Sequence, residues 1–116
     1  MGKTRLALER VRRGESRPDT VEVLECLGWA LAAAGQARKA ARLLALAERE
    51  REDMGIVLPP VDRPRHEGAL EAVREALGEE GFAAAWAEGQ SRDLETTVQG
   101  LPAELEEPPH SDPLPR

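Results

Sequence analysis

The sequence predicts an all-α fold in which about four to six helices pair as antiparallel hairpins. Three observations carry this. The apolar residues are mostly Leu and Ala, with few β-branched positions, which favours helices over sheets. They recur at three- and four-residue spacing instead of alternating. Glycines and prolines cut the chain into stretches of helix length. The 116 residues suit one small domain, and Leu, Ile, Val and Phe make up about a fifth of them, so the core must be lean. The single cysteine excludes a disulfide framework and leaves too few thiolates for a structural zinc site. No apolar run approaches the ~20 residues that span a bilayer, and no signal-peptide pattern opens the chain. A soluble, cytoplasmic protein without a membrane partner is expected.

Residues 1–17 set six cations (Lys3, Arg5, Arg10, Arg12, Arg13, Arg17) against Glu9 and Glu15, and Leu6, Leu8 and Val11 give a short apolar stripe. This predicts a basic helix of two to three turns, frayed because short isolated helices are marginal. Pro18-Asp19 breaks the chain, and Asp19 with Glu22 has capping-box spacing. From Thr20 to Ala34, Val23, Leu24, Leu27, Ala30, Leu31 and Ala34 follow a helical period. Gly35 stands where a left-handed C-terminal cap is expected. A second helix should run from about Gln36 to Met54, with Ala37, Ala40, Leu43, Leu44 and Ala47 on one face and Gly55 as its stop. So short a connection makes the two helices antiparallel neighbours.

The proline-interrupted run Ile56–Val61 should cross the hairpin in extended form and lay its side chains on it. Asp62 can cap a third helix with Pro64 in its first turn, Leu70, Val73 and Leu77 on its buried face and Gly78 at its end. A fourth, from about Glu79 to Glu88, holds Phe82 and Trp86 one turn apart, an aromatic pair that should anchor it on the third. Ser91 or Asp93 caps a last short helix with Leu94 and Val98, stopped by Gly100 and Pro102. Residues 103–116 hold four acids among four prolines, and the expected organisation is a basic segment 1–17, a helical domain 18–101 and a disordered acidic tail 102–116.

The first hairpin carries the best motif. Leu24-x-x-Leu27-Gly28-x-x-Leu31, then Gly35, then Ala40-x-x-x-Leu44-x-x-Ala47 resembles a tetratricopeptide repeat, and residues 21–54 give its 34 positions. Gly28 and Ala40 are small where two helices would cross, and the leucines fill the space around them. The departures are Leu at positions often aromatic and Glu52 near the place of a closing proline. More widely, residues 21–100 look like the C-terminal tail of bacterial regulators that join a STAND-class P-loop ATPase to tetratricopeptide repeats, often with a LuxR-type or SARP-type DNA-binding domain. The matching words are Ala40-Ala41-Arg42-Leu43-Leu44, Leu58-Pro59-Pro60, Ala69-Leu70-Glu71 and the run from Leu77 to Gly89. Gly2, Lys3 and Thr4 look like the end of the same family's Walker A segment. An intact P-loop needs a strand and a glycine-rich turn whose amides wrap the phosphates, and both are missing, so this remnant is not expected to bind nucleotide.

Other candidate chemistry is thin. Neither His66 nor His110 stands at metal-ligand spacing from another donor, and both read as surface residues. Cys26 reads as a small hydrophobe within its helix, with no His or Lys placed to activate it. Trp29 is offset from the leucine stripe and should meet the basic N-terminal helix, the 56–61 crossing or another chain. The basic start could contact phosphates, but no recognition helix follows and the whole chain carries −6, so nucleic acid is not the expected partner. No catalytic residue, cofactor or metal is predicted. Two hairpins are fewer than the about three units that helical repeats need to cover their faces, so an uncovered face at Trp29, Leu31 and Leu46 is expected. The resulting reading is a non-enzymatic interaction module for a protein or peptide, for instance a full-length relative or a second copy. Its rival is a vestigial nucleotide- or DNA-binding transcriptional regulator that uses the basic N-terminus.

Overall fold

A computed structural model describes residues 17–106, with side chains for 17–103. Four α-helices follow one another there: α1 (Arg17–Ala33), α2 (Ala37–Met54), α3 (Arg63–Gln90) and α4 (Leu94–Glu106), with a turn of 3-10 helix at Pro60–Asp62. No strand occurs among the described residues, so the fold is all-α. The expected basic helix at the start of the chain and most of the expected tail lie outside the described residues.

The break expected at Pro18-Asp19 is absent, because α1 already begins at Arg17. Pro18 fits in a first turn, where its missing N–H has no partner to lose, and Asp19 lies near the positive end of the helix instead of capping it. The helix ends as expected. Gly35 adopts φ 84°, the left-handed conformation that glycine takes without a Cβ penalty. Gln36 N–H then donates to Leu31 O (2.9 Å) and Gly35 N–H to Ala32 O (3.1 Å), closing the last carbonyls of α1 as α2 begins.

The two helices cross closely at Gly28, where an added Cβ would lie 2.7 Å from Cγ and Cδ2 of Leu44. Ala40 is fully buried beside the same crossing. Helix α2 is the centre of the molecule: residues 43–47 are all buried, which one apolar face cannot achieve, because α1 covers one side and α3 another.

Helix α3 breaks at Gly78 (φ 77°, ψ 169°), as the sequence indicates, into arms 63–77 and 79–90. On the first arm Val73 is buried and Leu70 and Leu77 are half-buried against the core. On the second, Phe82, Ala85 and Gly89 share the buried face. A Cβ at Gly89 would run into the Arg42 carbonyl and come within 2.8 Å of Arg42 Cα, so the backbones of α2 and α3 touch there. Phe82 and Trp86 stack with centroids 5.2 Å apart, and the guanidinium of Arg74, from the first arm, sits 4.7 Å above the Phe82 ring.

Two expectations fail in this half. The 56–61 segment does not lay its side chains on the hairpin: Val57 is 80% and Val61 83% exposed, and only Leu58 and Pro59 are half-buried. The prolines set a tight course into the 3-10 turn, which aims both valines outward. Helix α4 does not stop at Gly100 and Pro102 but runs to Glu106. Val98 and Leu101 are both buried, and that anchoring carries the helix past the backbone bond lost at Pro102. The cap is Asp93, whose Oδ2 accepts from the Thr96 N–H (2.9 Å) and hydroxyl (3.0 Å); Ser91 instead closes the end of α3.

Candidate interaction surface

The open face expected at Trp29, Leu31 and Leu46 does not exist. Leu46 is fully buried, Leu31 is 8% exposed and Trp29 6%. Leu46 and Leu31 belong to the core cluster. Trp29 does not lie on an open face: the start of α3 lies across it, and the expected N-terminal helix is outside the described residues. The Trp29 indole Nε1 donates to His66 Nδ1 at 3.1 Å, with the rings edge-on at 72°, and the Arg65 guanidinium lies 4.9 Å from the indole centre. Acceptance at Nδ1 places the proton of the neutral imidazole on Nε2. His66 is thus a half-buried partner of Trp29 and not the free surface residue expected. Cys26 departs in the opposite sense: it is exposed, and partial burial followed by nearby carboxylates holds its thiol above the ordinary value against the pull of Arg65. A thiol shifted that way is a poor nucleophile.

Around the Trp29–His66 link lie two shallow grooves. One, of about 270 Å³, runs between the second half of α1 and the start of α3, lined by Ala30, Ala33, Gly68, Ala69 and Ala72 with Trp29 and Arg65 at one end. Arg65 makes no hydrogen bond or ion pair among the described residues. The other, also about 270 Å³, lies under Ile56, Val57 and Leu58 and is walled by Glu48, Glu52 and His66. Burial, then the neighbouring Glu52, pushes the Glu48 carboxyl above the ordinary range.

Sequence reasoning missed two ion pairs with buried carboxylates, the first of which lines the second groove. Glu25, 3% exposed, receives a two-pronged contact from Arg51, at 2.5 Å from Nε and 2.8 Å from Nη2. Arg51 Nη1 also donates to the Val57 carbonyl (3.2 Å), fixing the turn that follows α2. Glu50 is bonded by Arg17 (2.7 Å) and Arg49 (2.7 Å), and Arg49 reaches on to the Gln90 carbonyl. The signal for Glu25 was present: Val21, Leu24, Glu25 and Gly28 sit at helical spacing, so an acid on that buried stripe demanded a cation. No buried polar side-chain atom among the described residues is left without a partner.

No group of three or more potential metal ligands occurs among the described residues, and no helix there is long and apolar enough to cross a membrane. Gly2, Lys3 and Thr4, the candidate phosphate-binding remnant, lie outside the described residues, as does His110. Compared with protein-family models, characterised proteins and solved structures, the chain matches none.

Proposed function

We propose that this protein is a non-enzymatic helical interaction module that holds an acidic, aliphatic peptide segment of a partner protein in the groove between α1 and α3. The observation that carries the reading is the Arg65 guanidinium, held over the Trp29 indole at 4.9 Å with no ion-pair partner among the described residues, at the end of a trough lined by Ala and Gly. Small side chains allow a peptide backbone to approach the helices closely. A guanidinium ranged over an aromatic face offers paired donors to a carboxylate. The resemblance of residues 21–54 to a tetratricopeptide repeat supports a peptide as the ligand, and the wider resemblance to the sensor tail of regulatory ATPases points to a full-length relative as one source of it.

Calorimetric titration with short peptides that combine a carboxylate with aliphatic residues tests this directly. The wild-type chain should bind in the micromolar range, about 7–8 kcal/mol. Arg65→Ala and Ala72→Phe, which remove the cation and fill the trough, should each weaken binding about tenfold or more while leaving the circular dichroism spectrum unchanged. Equal binding by all three proteins would reject the groove.

A further inference from the structure

We infer that the turn between α2 and α3 is a second docking surface, and that its partner is a basic segment of another protein, a lysine or arginine flanked by aliphatic residues. This inference is independent of the α1–α3 groove. Ile56, Val57 and Val61 are the exposed large hydrophobic residues of the described chain. A floppy loop would explain such exposure without a partner, but this turn is pinned. Ile56 N–H donates to Arg51 O (3.0 Å), Arg51 holds the Val57 carbonyl, and Asp62 N–H donates to Pro59 O (2.9 Å). Pro59 stands at φ −59° and ψ 141°, and Pro60 follows it. The valines are therefore presented in one fixed arrangement, which lowers the ordering cost of binding.

Charge selects the partner. Under the turn, the groove is walled by Glu48 and Glu52, one helical turn apart on α2, and neither carboxylate forms a hydrogen bond or ion pair among the described residues. The nearest guanidinium, Arg51, is committed to Glu25. Glu48 is half-buried and its repulsion by Glu52 outweighs the opposing pull of His66 across the groove, so a cation placed between the two carboxylates relieves an electrostatic cost already present in the fold. An anionic segment would meet that repulsion at full strength. A second copy docked through the same turn across a two-fold axis would set the same carboxylates near each other, which disfavours self-association here. Aliphatic residues beside the cation then cover Val57 and Val61.

The test is fluorescence anisotropy at physiological ionic strength with a short labelled peptide in which two arginines sit between leucines, added to the full chain. Saturable binding is expected, weakened about tenfold or more by E48Q with E52Q and, separately, by V57S with V61S. The control pair E71Q with E75Q removes the same charge from exposed positions on α3 and should leave binding unchanged. Any of three results overturns the proposal. These are equal weakening by both pairs of charge substitutions, which means the peptide reads only the net charge; undiminished binding of a peptide with serines for leucines; or no binding at millimolar peptide. Sedimentation showing that the chain associates with itself through Val57 would overturn it as well, by assigning the turn to a second copy.

Discussion

Half of the eighteen residues in α2 are buried, whereas α3, ten residues longer, buries four of its twenty-eight. The α1–α2 hairpin is held by a close crossing at Gly28, a run of buried positions around Leu44 and two ion pairs with buried carboxylates. The α3 side packs along α2 as well but buries fewer of its own residues: a first arm with a single buried residue, a glycine break, and a second arm whose buried face is Phe82, Ala85 and Gly89, with Glu88 and Gln90 bonded to Arg42 and Arg49 beside it. The difference teaches where this molecule keeps its stability and where it keeps its surface. Both grooves are walled on one side by the tight hairpin, and completed on the other by the sparsely packed start of α3 or the turn before it.

Truncation at matched residues breaks the comparison most sharply. Leu44→Ala should cost about 4 kcal/mol, near the top of the range for buried leucines, while Leu77→Ala, half-buried on α3, should cost about half as much. Urea denaturation of the two variants checks this. Similar losses would mean that the halves are equally packed. Next comes Arg51→Met, which strands the Glu25 carboxylate in the interior and should cost about 3 kcal/mol, while Arg42→Met, facing the half-exposed Glu88, should cost under about 1 kcal/mol. Adding Glu25→Leu to Arg51→Met should restore most of the loss. Within α3, Gly78→Ala places a side chain on a left-handed backbone and should cost about 1–2 kcal/mol, although the space around the position is open.

The smallest expected effect concerns acid. Burial pushes the Glu50 carboxyl up, but hydrogen bonds from Arg49 and Arg17 outweigh this and hold it below the ordinary value of 4.5. A carboxyl lowered on folding contributes stability that is complete above its unfolded pKa and disappears as pH falls through the lower folded value. Thermal midpoints of the wild type should therefore drop through that acid range more steeply than those of Glu50→Gln. Parallel curves would show that the pair adds nothing to the hairpin.

Much of this architecture is legible in the sequence, for physical reasons. Gly35, Gly55 and Gly78 mark real helix ends or breaks because each adopts a positive φ that other residues resist. Gly28 and Ala40 give away the helix crossing because close approach tolerates nothing larger. Tertiary contacts decide what was missed. A helical wheel shows that Trp29 is offset from the leucines, but only the placement of α3 shows that Arg65 and His66 cover it. Leu46 looks free on a single hairpin and is buried because α2 is enclosed on more than one face. Pro102 reads as a stop by local rules, and the burial of Val98 and Leu101 overrides it. Val57 and Val61 read as core and face outward because the prolines, not hydrophobicity, set the path of that turn.

The Trp29–Arg65 groove is proposed as a ligand site. It is tested most directly by the emission of Trp29, made the sole reporter by Trp86→Phe, as an acidic aliphatic peptide is added. A saturable change in wavelength or intensity is expected, and it disappears in Arg65→Ala, because a carboxylate drawn to Arg65 must pass beside the indole. A Trp29 signal that stays flat while the peptide binds elsewhere, or one that changes equally without Arg65, would contradict it.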